Sequence, residues 1–483
     1  MLADILSFSE NTNKIAIIDA GQMPAIAVSY LELNQRVQQL SNYFIVNKFS
    51  NKSRIGIFLE NSSTYVSLLL AMFRCGVVAV PISLKLTKSQ INAIAEDCEI
   101  IICELSTSAL LPKLSSLQFA EKILSEAKNL KIAHFERPSL NDEALILYTS
   151  GSTGAPKGAI HSQSGLGWKI ENSAEEISSL DLDDHFTHYL ANPLYHMNGL
   201  SSVLVMLRAQ LTVVLTPKFK ADEAARVIRE NKISTIIAVP TKVAQIIAIN
   251  PLADYKTVFW IKLGSAPVEE KLLIQIKTAF PRAKTQNNYG LTEIGPSLFG
   301  DHPSLLRPEL SVGFPRPGIE YRIVNRILQI KSPSQFKGYS STQVDSNKMT
   351  ADGFYITNDL FRVDESGFYF FQGRADDMIV CGGENIYLSS IKDLLDLHPE
   401  IASSAAIGLD DEIKGKKPYA FVVLKSNITE TQLIDYLRPF MTQNSLPRKI
   451  WSLENIPLTE TGKVAQKTLE SLAHGRLQNS NNI

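Results

Sequence analysis

The sequence has few cysteines and no excess of charge of either sign. Its 483 residues include four cysteines, Cys75, Cys98, Cys103 and Cys381, and no two of them form a Cys-x-x-Cys pair. This spacing is typical of neither a zinc site nor a disulfide framework, so we expect reduced thiols. Lys and Arg number 48 against 49 for Asp and Glu, which gives a net charge of −1. No overall field would therefore attract nucleic acid or an anionic membrane.

Long apolar runs and targeting signals are also lacking. The most apolar stretch, residues 65–83 (YVSLLLAMFRCGVVAVPIS), is interrupted by Arg74, Gly76 and Pro81. These interruptions favour a buried helix followed by a strand over a transmembrane segment. The first fourteen residues (MLADILSFSENTNK) show no basic region followed by an apolar one, so we expect no secretory signal. The predicted setting is cytoplasmic, with no nucleic-acid partner.

What the sequence does contain is an alternation of strand-like and helix-like segments. An apolar content of 45% with 20% charged residues fits a globular protein, and the length predicts roughly two to four structural units. Residues 54–59 (RIGIFL) and 77–82 (VVAVPI) have the composition of strands, and residues 61–75 between them have that of a helix. The alternation continues through residue 248 and predicts a layered α/β fold with largely parallel sheets.

The pattern changes after about residue 310, where short strand-like segments with tight turns begin. Asp352-Gly353 and Ser366-Gly367 are typical hairpin turns, which predicts antiparallel strands. A glycine followed by polar residues at 373–376 is what a linker needs between two apolar segments. We therefore predict an N-terminal domain at 1–373, a hinge at 374–376 and a C-terminal domain at 377–483.

The most distinctive segment is YTSGSTGAPKG, residues 148–158, which follows the apolar run ALIL. Its glycines permit close approach of a ligand to the backbone, and its hydroxyl groups and Lys157 add donors and positive charge. Such a loop can cradle a polyphosphate through successive N–H groups. It is not the P-loop pattern, because Gly158 follows Lys157 where that pattern has Ser or Thr. The alternative interpretation is a flexible surface turn.

This loop and seven further segments resemble the adenylate-forming superfamily, which includes acyl-CoA synthetases, peptide-synthetase adenylation domains and luciferases. In chain order the further segments are NPLYHMNGL, LGSAP, NNYGLTE, SVGFPRPG, DGFYITNDL, GRADDMIVCGGENIY and PLTETGK. The resemblance covers nearly the whole chain. It implies an α/β protein with a large N-terminal domain of layered α/β subdomains and a small β-barrel-like subdomain, followed by a small, mobile α+β C-terminal domain.

The resemblance also implies site residues. Those expected to bind ATP or AMP are Thr149, Ser150, Gly151, Ser152, Thr153, Gly154, Lys157, Gly264, Ser265, Ala266, Pro267, Asn288, Tyr289, Gly290, Asp359 and Arg374. Those expected to act in the chemistry are Lys463, Thr292, Glu293 and His196, with Mg²⁺ held by Glu293. Asp376 aligns with the hinge. Asn358 stands where relatives carry glycine, and Asn tolerates the left-handed conformation that such a turn requires.

The implied reaction has two steps. A carboxylic acid and ATP form an acyl-adenylate and pyrophosphate, and a thiol then displaces AMP. The segment around His196 lacks the aspartate with which amino-acid-activating relatives pair the substrate ammonium group. His196 instead resembles the aromatic gate of acyl- and aryl-CoA synthetases, and its neighbours Met197, Gly199 and Leu200 are apolar or small. These features favour a fatty or aromatic acid.

The sequence leaves open which molecule carries the acceptor thiol. Gly382 and Gly383 resemble the loop that lines the CoA tunnel, and the lysines at 414, 416 and 417 could meet CoA phosphates or an acidic carrier protein. The same region departs from the family at Val380, Leu388, Ser390 and Lys392. We therefore predict a CoA ligase that uses ATP, Mg²⁺ and CoA. The alternatives are a ligase that loads a phosphopantetheinylated acyl-carrier protein and a non-catalytic nucleotide-binding relative.

Overall fold

A computed structural model describes residues 1–6, 12–50, 52–114, 116–130, 136–150, 156–180, 182, 186–250, 255–340, 348–381, 384–411, 415–459 and 464–480. The chain forms two compact units. The first comprises Met1–Tyr321 and Ile330–Tyr355, and the second comprises Arg322–Gln329 and Ile356–Ile483. No helix in the described part of the chain combines the length and the apolarity that crossing a bilayer requires.

The helices alternate with strands over most of the chain. They are α1 (Tyr30–Val46), α2 (Ser63–Cys75), α3 (Lys88–Ala95), α4 (Leu105–Ser108), α5 (Ala120–Ala127), α6 (Gln163–Ser178), α7 (Met197–Arg208), α8 (Ala221–Glu230), α9 (Pro240–Ile249), α10 (Glu270–Ala279), α11 (Leu388–Asp396), α12 (Glu430–Leu437) and α13 (Gln466–Ser480). Short 3₁₀ turns occur at Leu2–Asp4, Ala375–Asp377 and Arg438–Phe440.

The strands of residues 1–300 are β1 (Ile15–Asp19), β2 (Ile26–Ser29), β3 (Arg54–Phe58), β4 (Val78–Pro81), β5 (Ile100–Cys103), β6 (Leu117–Phe119), β7 (Glu143–Ser150), β8 (Pro156–Ser162), β9 (Thr187–Leu190), β10 (Thr212–Leu215), β11 (Thr235–Ala238), β12 (Trp260–Gly264), β13 (Lys284–Asn288) and β14 (Phe299–Gly300). The later strands are β15 (Phe314–Pro315), β16 (Glu320–Val324), β17 (Ile327–Lys331), β18 (Gly338–Tyr339), β19 (Tyr355–Val363), β20 (Tyr369–Arg374), β21 (Met378–Cys381), β22 (Glu384–Tyr387), β23 (Ile401–Asp411), β24 (Gly415–Leu424) and β25 (Ile450–Ser452).

The helix after β3 shows how local sequence sets these boundaries. Ser62 is the N-cap of α2, and its side chain accepts a hydrogen bond from the Tyr65 N–H at 3.2 Å. Such a cap satisfies one of the N–H groups that have no partner within the helix. The helix ends at Gly76, which has a φ of 80° and needs no β-carbon to adopt it. Nearly every residue of α2 is buried, which confirms the sequence prediction of a core helix.

Two seven-stranded sheets form the first unit. One has the order β13-β12-β11-β9-β10-β1-β2 and is parallel except for β2, and the other has the order β18-β8-β7-β4-β3-β5-β6. Helices α1, α2, α6 and α7 share one hydrophobic core with residues of both sheets. Helices α8, α9 and α10 cover the outer face of the first sheet. This layered, largely parallel arrangement confirms the predicted fold class.

The second unit contains antiparallel strands, as the hairpin turns predict. Strands β19 and β20 pair antiparallel, with Asp359 opposite Arg374. A further sheet has the order β22-β21-β24-β23, and β25 joins it parallel to β24. Helices α11 and α12 pack on this sheet through apolar side chains. A four-stranded sheet has the order β16-β17-β19-β20.

Candidate active site

The ends of the predicted phosphate loop are held by a hairpin. Strands β7 and β8 pair antiparallel, with Thr149 opposite Lys157 and Ser150 opposite Pro156. The Thr149 hydroxyl also donates a hydrogen bond to the Lys157 carbonyl at 3.4 Å. Gly151, Ser152, Thr153 and Gly154 lie outside the described residues. The strand pair thus brings both ends of the loop to one place in the sheet.

A second part of the site lies where β12 ends. Gly264 is opposite Asn288 of β13, and a β-carbon on Gly264 would lie 3.2 Å from the Asn288 carbonyl and 3.5 Å from Asn198 Nδ2. Ser265 has a φ of 68°, and its hydroxyl accepts a hydrogen bond from Asn198 at 3.2 Å. A non-glycine residue in this conformation is strained, and such strain is frequent at functional sites. The turn that continues through Ala266 and Pro267 is therefore anchored to the start of α7.

His196 belongs to the same corner, because it is the N-cap residue of α7. Its ring contacts Tyr195 edge to face, with ring centroids 4.8 Å apart. The neighbouring Gly199 and Leu200 have packing roles. A β-carbon on Gly199 would lie 2.1 Å from the Pro193 carbonyl, and Leu200 is fully buried in the core. Gly199 and Leu200 are therefore explained by packing, and the role of His196 as a gate for the acid stays a prediction.

The segment after β13 adopts a tight turn. Tyr289 is largely buried, and a β-carbon on Gly290 would lie 2.8 Å from the Gly295 carbonyl. That separation is shorter than van der Waals contact, and the backbone at Gly295 cannot move away. Only glycine therefore fits at position 290. The turn carries Thr292 and Glu293 next to each other, shortly after Asn288, Tyr289 and Gly290, which are predicted to bind ATP or AMP.

Glu293 is held by a tyrosine that the sequence analysis missed. The Tyr339 hydroxyl donates a hydrogen bond to Glu293 Oε1 at 2.7 Å, and the Phe336 N–H donates to the Glu293 carbonyl at 2.7 Å. Tyr339 belongs to β18, which pairs with Ala159 and Ile160 of β8. The Glu293 carboxylate is therefore tied to the strand that begins with Pro156 and Lys157. No local pattern around Tyr339 signals this contact, since 46 residues separate the two partners.

The donor set at Glu293 fits Mg²⁺ that arrives with a nucleotide. Mg²⁺ is usually bound by one or two carboxylates together with substrate phosphates, and it keeps several waters. Within the described ranges, no group of three or more His, Cys, Asp or Glu side chains could hold a metal ion. A single oriented carboxylate fits a site in which substrate phosphates and water supply the other ligands. It does not fit a metal site made of protein ligands alone.

Asp359 and Arg374 lie together in the second unit. They are opposite each other on β19 and β20, and Arg374 Nε lies 3.7 Å from Asp359 Oδ1. Asp359 is buried, whereas Arg374 is partly exposed. Asn358 has a φ of 60°, so it adopts the left-handed conformation expected for the glycine that it replaces. The structure thus pairs two of the residues that were predicted to bind ATP or AMP, and their role in binding stays a prediction.

Several predicted residues fall outside the described part of the chain or have other partners. Lys463, Gly382, Gly383 and the lysine at 414 are outside the described residues, and Asp376 is described only by its backbone, in the turn Ala375–Asp377. Lys416 lies 3.8 Å from Asp410, and Lys417 forms an ion pair with Asp411 across β23 and β24. These two lysines are partly neutralised within their own sheet.

Comparisons with known proteins agree with this architecture. Sequence models match the AMP-binding enzyme at residues 7–339 and the AMP-binding enzyme C-terminal domain at 391–463. A 2-succinylbenzoate–CoA ligase from Bacillus velezensis is 26% identical over 479 residues, covering 96% of each chain. The structure of ATP-bound MatB from Rhodopseudomonas palustris is 25% identical and has a TM-score of 0.86, with 97% of each chain covered.

A third likeness concerns the fold alone. O-succinylbenzoate coenzyme A synthetase from Bacillus subtilis, solved with ATP and magnesium ion, is 23% identical and has a TM-score of 0.82, covering 97% of this chain and 98% of that one. The first sequence model spans more than half of the residues, and its C-terminal companion matches in the expected order. The chain belongs to the AMP-binding enzyme family.

Proposed function

We propose that this protein is an ATP-dependent acid–CoA ligase that releases AMP and pyrophosphate. One carboxylate oxygen of the acid attacks the α-phosphorus of ATP, and the bond to pyrophosphate breaks. The CoA sulfur then attacks the acyl carbon, its proton passes to solvent, and AMP leaves. The observation that carries this proposal is the hydrogen bond from Tyr339 to Glu293, which ties a metal-binding carboxylate to the strands that hold the phosphate loop.

The residues of the first unit have distinct roles in this proposal. The loop between β7 and β8 binds the phosphates through N–H groups, hydroxyl groups and Lys157. Glu293 holds Mg²⁺, which supplies neutralisation of phosphate charge when bound. Gly264 and Gly290 keep their two turns close-packed, because a side chain at either position would meet backbone atoms within 3.2 Å, and the ring of Tyr289 stacks on the adenine base. His196 borders the place where the acid lies.

The second unit supplies the remaining groups. Asp359 accepts hydrogen bonds from the ribose hydroxyls, and Arg374 orients Asp359 through their ion pair. Lys463 stabilises the negative charge that develops when the carboxylate attacks phosphorus. A rotation of the C-terminal domain about residues 374–376 then moves Lys463 out of the site and admits the acceptor thiol. We place the protein in the cytoplasm, where ATP and CoA are available.

CoA is the preferred acceptor on the basis of the relatives and not of charge. The contacts of Lys416 and Lys417 with Asp410 and Asp411 reduce the positive charge available to CoA phosphates and to an acidic carrier protein alike. The relative from Bacillus velezensis is named as a CoA ligase. A carrier protein is the alternative acceptor, and the departures at Val380 and Lys392 are the features that favour it.

The proposal is tested by pyrophosphate exchange with a panel of fatty and aromatic acids, followed by thioester formation with CoA or with a phosphopantetheinylated carrier. Lys463→Ala is expected to lower exchange by roughly 10²–10³-fold, as does the loss of one oxyanion-stabilising donor. Lys122→Met serves as the control, because Lys122 is exposed and its ion pair with Glu126 lies within α5. Unchanged pyrophosphate exchange in Lys463→Ala would refute the role assigned to that lysine. Thioester formation with the carrier alone would make the carrier protein the acceptor in place of CoA.

A further inference from the structure

Lys262 is a buried lysine in the middle of β12. Only 7% of its surface is exposed, because β11 and β13 flank it on both sides. Its Nζ lies 3.8 Å from the centroid of the Trp260 ring. Within the described part of the chain, this nitrogen makes no hydrogen bond and no ion pair. An ammonium group buried without an anion is costly, so a position of this kind calls for an explanation.

The strand register places Lys262 on the side of the sheet that carries the predicted acid site. Lys262 is opposite Gln286, and Gly264 is opposite Asn288. Side chains two apart in a strand share a face and lie about 6.5 Å from each other. Ile261 and Leu263 point to the core beneath α8, α9 and α10. Lys262 and Gly264 therefore face the opposite side, where Asn198 of α7 lies beside Gly264.

The carboxylates near Lys262 already have arginine partners. Glu176 of α6 forms an ion pair with Arg316, and Asp301 accepts hydrogen bonds from Arg307 at 2.8 Å and from Gln286 at 2.8 Å. Lys284 also binds Asp301, at 2.8 Å. His188 faces Lys262 from β9 and is fully buried. Glu176 and Asp301 favour the charged form of Lys262 from a distance, but each of them is bound directly by another cation.

Lys169, the other buried lysine of this region, has a different environment. Its Nζ donates a hydrogen bond to the Ser297 carbonyl at 2.8 Å. Burial lowers the pKa of Lys169 well below its usual value, and the positive charges of Arg316 and Lys262 act in the same direction. A neutral or carbonyl-bound amine needs no anion. The cations Arg307, Arg316, Lys284 and Lys262 outnumber the carboxylates Glu176 and Asp301, and among the described residues Lys262 is the one of these cations that makes no direct contact with a carboxylate.

Lys242 provides a comparison within the same sheet region. Burial lowers the pKa values of both Lys242 and Lys262 to about 8, so both remain largely protonated at neutral pH. The Lys242 Nζ is satisfied, because it donates to the Ala191 carbonyl at 2.6 Å and to Asn192 Oδ1 at 3.3 Å. The half-buried Lys242 ammonium thus has oxygen acceptors, whereas the buried Lys262 ammonium has only an aromatic face.

We propose that Lys262 binds a second carboxylate of the acid substrate, opposite the carboxylate that becomes adenylated. The substrate class is then a dicarboxylic acid, aliphatic or aromatic, whose far end passes Gly264 and Asn198 and ends at the Lys262 ammonium. Gln286, in register with Lys262, offers a neutral polar neighbour on the same face. This inference depends on the proposed function, since it assumes that the acid lies against Gly264.

The wild-type protein tests the inference without any substitution. Pyrophosphate exchange is measured with pairs of acids of equal length, one with a terminal carboxylate and one with a terminal methyl group, over a series of aliphatic lengths and a benzoic series. We expect the diacid of the best-fitting length to exceed its monoacid partner by about 10- to 100-fold in kcat/KM, which is the effect of one hydrogen bond to a charged group. Equal use of both members at every length would overturn the inference.

Two substitutions locate the effect at Lys262. Lys262→Met keeps a long side chain without charge and is expected to remove the preference for the diacid, so that the ratio of the two kcat/KM values falls to about one. Lys262→Arg keeps the charge and is expected to retain a preference for diacids. Lys122→Met, which removes an exposed lysine, should leave the ratio unchanged. A Lys262→Met variant that keeps the full preference would overturn the inference.

A binding measurement separates this inference from the proposed function. The rise in Tm caused by the diacid is measured for wild type and Lys262→Met in the absence of ATP. If pyrophosphate exchange occurs but shows no preference for diacids, and the diacid causes no Lys262-dependent rise in Tm, only the inference of a second carboxylate subsite is overturned. A Lys262-dependent rise in Tm without exchange by any acid supports the subsite and overturns the ligase function. Absence of both overturns both proposals.

Discussion

Glu293, which is proposed to bind Mg²⁺, illustrates how a single side chain is held in place in this protein. A carboxylate on a turn would sample several rotamers, and each ordered side chain has an entropic cost. The hydrogen bond from Tyr339 at 2.7 Å holds one oxygen in place. We therefore propose Tyr339 as a positioning residue, which would act on Mg²⁺ through Glu293.

Removing the Tyr339 hydroxyl should weaken the response to magnesium. In Tyr339→Phe we expect the Mg²⁺ concentration for half-maximal pyrophosphate exchange to rise by about 10-fold, as expected for one hydrogen bond to a charged group. The measurement is a magnesium titration of exchange at saturating ATP and acid. Tyr30→Phe is the matched control, since the Tyr30 hydroxyl donates to the Leu211 carbonyl at 2.9 Å inside the core. An unchanged titration in Tyr339→Phe would show that Glu293 is oriented by other contacts.

Strand β19 shows how an element adapts to the absence of a family glycine. Residue 358 must adopt a φ of 60°, which lies in the left-handed region. The Asp359 N–H donates to the Thr357 hydroxyl at 3.0 Å, and the Thr357 hydroxyl donates to the Leu328 carbonyl at 2.8 Å. These bonds hold the backbone on both sides of Asn358. Asparagine tolerates the conformation better than other non-glycine residues do.

Substitutions at Asn358 should therefore follow backbone tolerance. We expect Asn358→Val to lower the free energy of unfolding by roughly 1–2 kcal/mol, because a β-branched side chain is strained at positive φ. Asn358→Gly is the matched control, since it removes the same side chain without strain and should stay close to wild type. Urea unfolding followed by circular dichroism measures both variants. Equal stability of the valine and glycine variants would contradict the conformational argument.

The acid stability of the whole molecule depends on histidines buried in both sheets of the first unit. Burial lowers the pKa of His161 on β8 to about 4 and that of His188 on β9 to about 3. In the unfolded chain both groups would titrate near 6.5. Between pH 6.5 and about 4 the unfolded state therefore binds more protons than the folded state. The free energy of unfolding falls as the pH is lowered through this window.

The contribution of one histidine can be isolated by substitution. Each buried imidazole should account for roughly 3 kcal/mol of the loss between pH 7 and pH 4. We expect His188→Leu to lose less stability over this range than wild type does, as measured by urea midpoints at pH 7, 5.5 and 4. His302→Gln is the control, because His302 is not buried in the core. An equal loss of unfolding free energy in wild type and His188→Leu between pH 7 and pH 4 would contradict the contribution assigned to His188.

Much of this protein follows from local sequence. Strand and helix periods, the Ser62 cap, the glycine at the end of α2 and the tolerance of Asn358 for the left-handed region each depend on a few neighbouring residues. The phosphate loop and the pairing of Asp359 with Arg374 were predicted because family motifs preserve short spacings. These features depend on backbone geometry and turn chemistry, which act over one or two turns of chain.

Only the tertiary structure decided the contacts between distant segments. Tyr339 reaches Glu293 across 46 residues, and Arg316 reaches Glu176 across 140. The lack of a direct carboxylate contact at Lys262 also arises from packing between distant segments, because other cations bind the nearby carboxylates. Such pairings arise when sheets and helices pack, and no local pattern encodes which side chains then face each other. The sequence alone thus determined the family and its chemistry, and the packed fold determined the charge balance around Lys262.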